Sequence, residues 1–111
     1  ESNKKKVLFL NEVKNLLNLE KVKVHCCRAE NFKTNIHPNI ITARAVASLD
    51  KLFRYTSHLS DKKTNLLFLK GKSFDKEIMI SKKKWDFQLK ILNSITSIEG
   101  KLLLIKNLKK K

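Results

Sequence analysis

Three short apolar runs constrain this chain most: Ile40-Ile41-Thr42-Ala43, Leu66-Leu67-Phe68-Leu69 and Leu102-Leu103-Leu104-Ile105. Each has the length of a strand and is too short for a buried helix, and a strand that is apolar on both faces needs cover on both. Two other stretches alternate instead. Val22, Val24 and Cys26 oppose Lys21, Lys23 and His25, and Phe87, Leu89 and Ile91 repeat at every second position. Alternation marks a half-buried strand, typical of a sheet edge. The continuous runs therefore belong inside a sheet and the alternating ones at its margins.

Helical patterns lie between the strands. Phe9, Leu10, Val13, Leu16 and Leu17 share one face of a helix running to about Asn18, with Ser2 as a plausible N-cap. Leu49, Leu52, Phe53, Thr56 and Leu59 form the apolar face of a second helix, capped by Ser48. A short third helix fits Ser73 to Ile80. Asn31 to Asn39 contains the only proline, Pro38, and reads as irregular. Strands alternating with helices predict an α/β sandwich with a mainly parallel sheet. The last two strands are joined by too little chain for a helical crossover, with turn chemistry at Glu99-Gly100, so they are expected to form an antiparallel hairpin.

Arg44 stands at the carboxyl end of the first continuous strand, followed by the small residues Ala45 to Ser48. Open parallel sheets bind ligands at that end of their strands. Arg44 is thus either a salt-bridging arginine or a site residue, and the small neighbours favour a site that a ligand can approach.

The formal net charge is +15, from 25 Lys+Arg against 10 Asp+Glu, and it suits a polyanionic partner such as RNA. Codon bias in an AT-rich genome, with lysines on solvated faces, is the competing explanation. The two cysteines, Cys26 and Cys27, are adjacent, and neighbours in a strand point to opposite faces, which disfavours a mutual disulfide and suits a reducing cytoplasm. His25, His37 and His58 lack metal-like spacing, so no metal site is expected. No apolar run approaches the ~18 residues of a membrane span. Trp85, beside Lys82–Lys84, is either a base-stacking platform or a partly buried anchor.

Glu1 to Leu10, Arg28-Ala29-Glu30, Thr42-Ala43-Arg44-Ala45-Val46-Ala47-Ser48-Leu49 and Leu69-Lys70-Gly71, in this order and spacing, resemble the C-terminal half of the ribosomal RNA small subunit methyltransferase G family, also called glucose-inhibited division protein B. The resemblance covers essentially all of residues 1–111, which then form the C-terminal part of a single methyltransferase domain. It implies a class I, Rossmann-like sheet, incomplete at its N-terminus, with the third and sixth strands at the edges. It also implies S-adenosylmethionine as cofactor, N7 of a guanine in 16S ribosomal RNA as substrate, the small ribosomal subunit as partner, a monomer at full length and a cytoplasmic location.

Site roles follow from the same resemblance. Glu1 matches an acidic residue expected to accept hydrogen bonds from the ribose hydroxyls. Ala29 and Glu30 match a pair expected at the adenine, and Arg44 matches the cofactor-site arginine. Lys70 and Gly71 match a signature without assigned roles. Asn39 departs from the family's usual aspartate. The family's Gly-rich turn has no counterpart, since Gly71 and Gly100 follow no N-terminal strand, and this chain alone is therefore expected to be inactive. No catalytic residue is assignable. Guanine N7 carries an in-plane lone pair and needs no general base, so orientation and electrostatics are expected to carry the reaction. Lys5, Lys6, Lys70 and Lys72, with Lys4 and Lys82–Lys84, are candidates for RNA phosphates. A non-catalytic basic RNA-binding module and a decayed gene remnant are the alternatives.

Overall fold

The computed structural model describes residues 1–111, which separate into two compact units, Glu1–Lys33 and Thr34–Lys111. The sequence reading treats them as parts of one domain.

The first unit holds helix α1, Lys4–Leu16. Its N-cap is Asn3, not Ser2. The Asn3 side-chain oxygen accepts the Lys5 and Lys6 amides at 2.9 and 3.2 Å, satisfying two donors that a helix start leaves unpaired. The helix stops at Asn18, whose φ of 54° puts it in the left-handed region. The Leu19 amide reaches back to the Lys14 carbonyl and the Asn18 amide to that of Asn15, which is a Schellman ending with asparagine at the position glycine usually takes. Lys21–Cys27, expected as an edge strand, belongs to no sheet. Its backbone is tied at its start by the Val22 amide, which donates to the Leu19 carbonyl, and at its end by Glu1, whose amine donates to the His25 carbonyl and whose carbonyl accepts the Cys27 amide. Of the alternating face only Val24 is half-buried, with Val22 and Cys26 exposed, and no backbone runs alongside the segment to pair with it. Ala29–Asn31 forms a single 3₁₀ turn.

The second unit is a four-stranded sheet with helices packed on it. Its elements are β1 (Ile40–Arg44), α2 (Leu49–Thr56), β2 (Asn65–Lys70), α3 (Phe74–Lys82), β3 (Trp85–Asn93) and β4 (Lys101–Lys110), in sheet order β1-β2-β4-β3. The β1–β2 pair is parallel and the β2–β4 and β3–β4 pairs are antiparallel, so the sheet is mixed, not mainly parallel. The hairpin expectation holds, with β3 at the edge as its alternating pattern requires. Ile40–Ala43, expected inside, is instead the other edge strand of this sheet, with β2 as its only strand partner.

The core lies on one face of this sheet. Leu66 and Phe68 from β2, Leu103 and Ile105 from β4 and Trp85 from β3 meet Leu49, Leu52 and Phe53 from α2 and Ile78 from α3. Phe53 is the hub: its ring lies 5.0 Å from that of Phe87, 5.7 Å from Trp85 and 6.4 Å from Phe68. Burial of one such side chain contributes about 1.5–3 kcal/mol. The opposite face, with Leu67, Leu69, Leu102 and Leu104, is half-buried to exposed. The continuous runs thus have tight cover on one face only.

Trp85 is the buried anchor, not a stacking platform; it is 4% exposed and its indole N–H donates to Asp50 at 3.0 Å. The lysines behind Ile105 do not trail away but continue β4. A bulge admits them. Asn107, at φ 54°, falls between the Gln88–Lys106 and Asp86–Lys109 pairs, and its side chain donates to Gln88 at 2.9 Å. The extra residue turns Leu108 toward the core in place of Asn107.

Candidate functional site

A cavity of about 750 Å³ opens where β1 and β2, the parallel pair, end side by side. Arg44 at the end of β1 and Ala45 just after it line one side, with Leu69 and Lys70 at the end of β2 and Gly71 just after it. The β3–β4 loop closes the other side with Asn93, Ser94, Ile95, Ser97 and Gly100. Its volume lies within the range of small-molecule sites.

The turn leaving β1 is built under constraint. Ala45 takes φ 55°, a conformation that costs an L-residue about 1–2 kcal/mol and that persists only where its surroundings enforce it. Lys70 ties down the same turn two residues further on. Its ammonium donates to the Ala47 carbonyl at 2.6 Å and to Glu77 Oε1 at 3.1 Å. The same Glu77 oxygen accepts the Leu49 amide at 3.1 Å, so a carboxylate from α3 caps α2. Ser48 occupies the N-cap position, but its hydroxyl makes no capping bond. Lys70 and Glu77 are shielded, with side chains 9% and 19% exposed.

Arg44 is the contrasting case. It is exposed on the cavity wall, and its guanidinium has no hydrogen-bond or ion-pair partner in the protein. The salt-bridge reading therefore fails, and five N–H donors face the space at the strand end. Gly71 lines the same wall. A Cβ there would meet nothing within 4 Å, so no protein contact requires the glycine.

The structure brings Arg44, Lys70 and Gly71 to one cavity. Glu1, Ala29 and Glu30 belong to the first unit, where Glu1 Oε2 accepts the Asn3 amide at 3.0 Å. That bond, together with the positive charge of Lys6, holds the Glu1 carboxyl below the usual carboxylate range, although it is fully exposed. Ala29 and Glu30 sit in the 3₁₀ turn with Glu30 exposed. Lys5, Lys6 and Lys72 are exposed, whereas the Lys70 ammonium is committed to Ala47 and Glu77 and is not a surface cation.

Sequence reading missed Glu77 and the hairpin loop. A glutamate in the first turn of α3, seven residues beyond a lysine at a strand end, was the available signal for the first. Nothing in the residues announced that the loop would fold back over the strand ends. No group of three His, Cys, Asp or Glu side chains is placed to hold a metal ion, and no helix is long and apolar enough to cross a membrane.

Residues 1–108 match the family GidB, rRNA small subunit methyltransferase G. The ribosomal RNA small subunit methyltransferase G of Mycoplasmopsis pulmonis is 46% identical over 81 residues, which is 70% of this chain and 35% of that protein. The protein of the same name from Rickettsia prowazekii is 37% identical over 110 residues, 99% of this chain and 56% of the relative. That of Bartonella henselae is 42% identical over 90 residues, 80% of this chain and 41% of the relative. The chain thus spans about half the length of these relatives, or less. Arg44 with its turn and Lys70 with Gly71 lie within the matched residues, and the chain belongs to the rRNA small subunit methyltransferase G family.

Proposed function

We propose that this chain forms the C-terminal part of an S-adenosylmethionine-dependent methyltransferase acting on guanine N7 of 16S ribosomal RNA, a cytoplasmic monomer that works on the small ribosomal subunit. The observation that carries the reading is the unpartnered Arg44 at a cavity over adjacent parallel strand ends, in a chain of this family. A class I sheet is supported by the adjacent parallel strands β1 and β2 and by the edge position of β3, where the sixth strand of such a sheet belongs.

The residues present suit this cofactor. The cavity has the volume for a nucleoside and walls that are largely apolar, with Arg44 as an exposed cation suited to a carboxylate or a phosphate. S-adenosylmethionine, when bound, supplies a methyl group activated by its sulfonium. Arg44 orients an anionic group at the strand ends. Lys70 and Glu77 fix the turn on which Arg44 is mounted. The open space at Gly71 lets a ligand approach the backbone. Glu1, kept ionised, offers carboxylate oxygens for ribose hydroxyls, and Ala29 and Glu30 offer a main-chain and a side-chain group for adenine. Guanine N7 requires no proton removal before attack, so this set needs no acid–base pair.

The test uses a protein of the relatives' full length carrying this chain, with S-adenosylmethionine labelled in its methyl group and small ribosomal subunits. Label is expected on a guanine of 16S ribosomal RNA. RNA binding without label transfer would replace this reading with the non-catalytic RNA-binding module that the net charge of +15 also suits.

A further inference from the structure

Two lysine runs far apart in the sequence meet at one end of the sheet. Lys82–Lys84 close α3, and Lys109–Lys111 close the chain. The Lys111 amide donates to the Lys84 carbonyl at 2.9 Å, and β3–β4 pairing sets Trp85 beside Lys110 and Asp86 beside Lys109. All these lysines are exposed. The Asn107 bulge shapes this juncture, because it sets the register in which Lys109 and Lys110 pair with β3. The acidic groups at hand are few. Asp86 stands across from Lys109, while Asp50 is engaged by the Trp85 indole at 3.0 Å and by Arg54 at 3.3 Å, with Lys84 at 3.9 Å.

This cluster lies away from the cavity. The cavity touches β3 and β4 at Asn93 and Lys101, and the lysines stand at the other end of the same two strands. At roughly 3.3 Å per residue, the length of β3 separates the two ends by ~27 Å. A bound nucleoside does not bridge that distance, but a polynucleotide backbone does.

We infer that Lys82–Lys84 and Lys109–Lys111 form a second phosphate-binding surface for RNA, which holds the backbone at the end of the sheet opposite the cavity. The inference rests on the reading of the substrate as RNA. Lysines are compact point charges suited to phosphate and are depleted at protein–protein interfaces, so RNA suits this surface better than an acidic protein does. Such contacts read no sequence; they add affinity by releasing counterions and they set register.

The experiment measures RNA affinity against salt concentration in the full-length protein. One variant carries Lys82→Gln, Lys83→Gln, Lys109→Gln and Lys110→Gln. Another removes the same charge elsewhere through Lys21→Gln, Lys23→Gln, Lys33→Gln and Lys62→Gln. In a set of salts at and below physiological strength, the first variant is expected to bind at least about tenfold more weakly, with the log–log salt slope reduced by roughly 2–3, and the second to change much less. Affinity for S-adenosylmethionine is expected to stay the same in both, as is the thermal midpoint. Equal losses in the two variants would overturn the inference and leave only net charge. An unchanged slope in the first variant, while the parent binds RNA, overturns the surface alone. A parent that binds no RNA overturns the substrate reading with it. Loss of binding to phosphatidylserine vesicles with RNA binding intact would reassign the surface to a membrane.

Discussion

The Lys70 ammonium lies 3.1 Å from Glu77 Oε1, and that one oxygen also accepts the Leu49 amide. A single shielded pair thereby connects the end of β2, the first turn of α3 and the start of α2, and through the Ala47 carbonyl it also holds the turn after β1. Removing one partner leaves the other charge poorly solvated. Lys70→Met is expected to destabilise the fold by about 2–3 kcal/mol. Glu77→Gln keeps an acceptor for the Leu49 amide and should lose less, ~1 kcal/mol. Denaturant unfolding of the two single variants and the double variant checks both values, and the double is expected to lose less than the sum.

Arg44 should behave in the opposite way. It is exposed and engages no partner in the protein, so Arg44→Ala is expected to shift stability by less than about 0.5 kcal/mol. In the full-length protein the same change is expected to lower methyl transfer by at least ~100-fold, since loss of one positioned donor to a reacting or bound anionic group costs roughly 3 kcal/mol. Near-normal turnover with normal stability would remove Arg44 from the site.

Ala45 sets a third expectation. At φ 55° its methyl group carries a conformational cost that glycine does not. Ala45→Gly is expected to change stability little or to raise it by up to ~1 kcal/mol, because relief of the strain is offset by added freedom of the unfolded chain. Ala45→Val should cost more than 1 kcal/mol, since branching at Cβ crowds the left-handed region. Thermal unfolding of the two variants decides the sign.

What could be read from the residues follows from which physical rules are local. The apolar runs of β2 and β4, the alternation of β3 and the face of α2 depend on burial at strand or helix period, and all four stand where that pattern puts them. Arg44 at the strand end was legible because β1 is short and the residues after it are small. Lys21–Cys27 was misread because alternation is a local pattern, whereas both burial and pairing depend on a distant partner, and Val22 and Cys26 stay exposed. The pairing of Lys70 with Glu77 was hidden for the same reason: a lysine in a basic chain looks like any other until the fold shows which carboxylate it meets. The positive φ of Ala45 leaves no trace in an alanine.

Ser81 offers a test of the core. Its hydroxyl is fully buried at the end of α3 and has no hydrogen-bond partner. A buried hydroxyl without a partner costs about 1–3 kcal/mol, while alanine retains most of the volume and has better helix propensity. Ser81→Ala is expected to raise stability by ~1 kcal/mol, read as a higher denaturant midpoint at an unchanged slope. A loss of stability would mean that the hydroxyl finds a partner in solution.

Asp61 ties stability to pH. Its carboxylate accepts the Lys63 amide at 2.8 Å and lies 3.2 Å from the Thr64 hydroxyl, whose single proton is shared between Asp61 Oδ1 and the Pro38 carbonyl at 2.8 Å. The Lys63 amide foremost, with help from Thr64, lowers the Asp61 pKa. A carboxyl whose folded pKa lies below its unfolded value binds fewer protons when folded, so stability rises with pH across that interval. The contribution is therefore present above the unfolded value, about 3.9, and fades as the pH falls from there through the folded one. Asp61→Asn keeps an acceptor but loses the ionisation, and it is expected to flatten this limb of the pH–stability curve while leaving the fold intact at neutral pH. Stability measured from pH 6 down to pH 3 on both proteins provides the comparison, and identical slopes would show that Asp61 titrates in the folded chain as it does in the unfolded one.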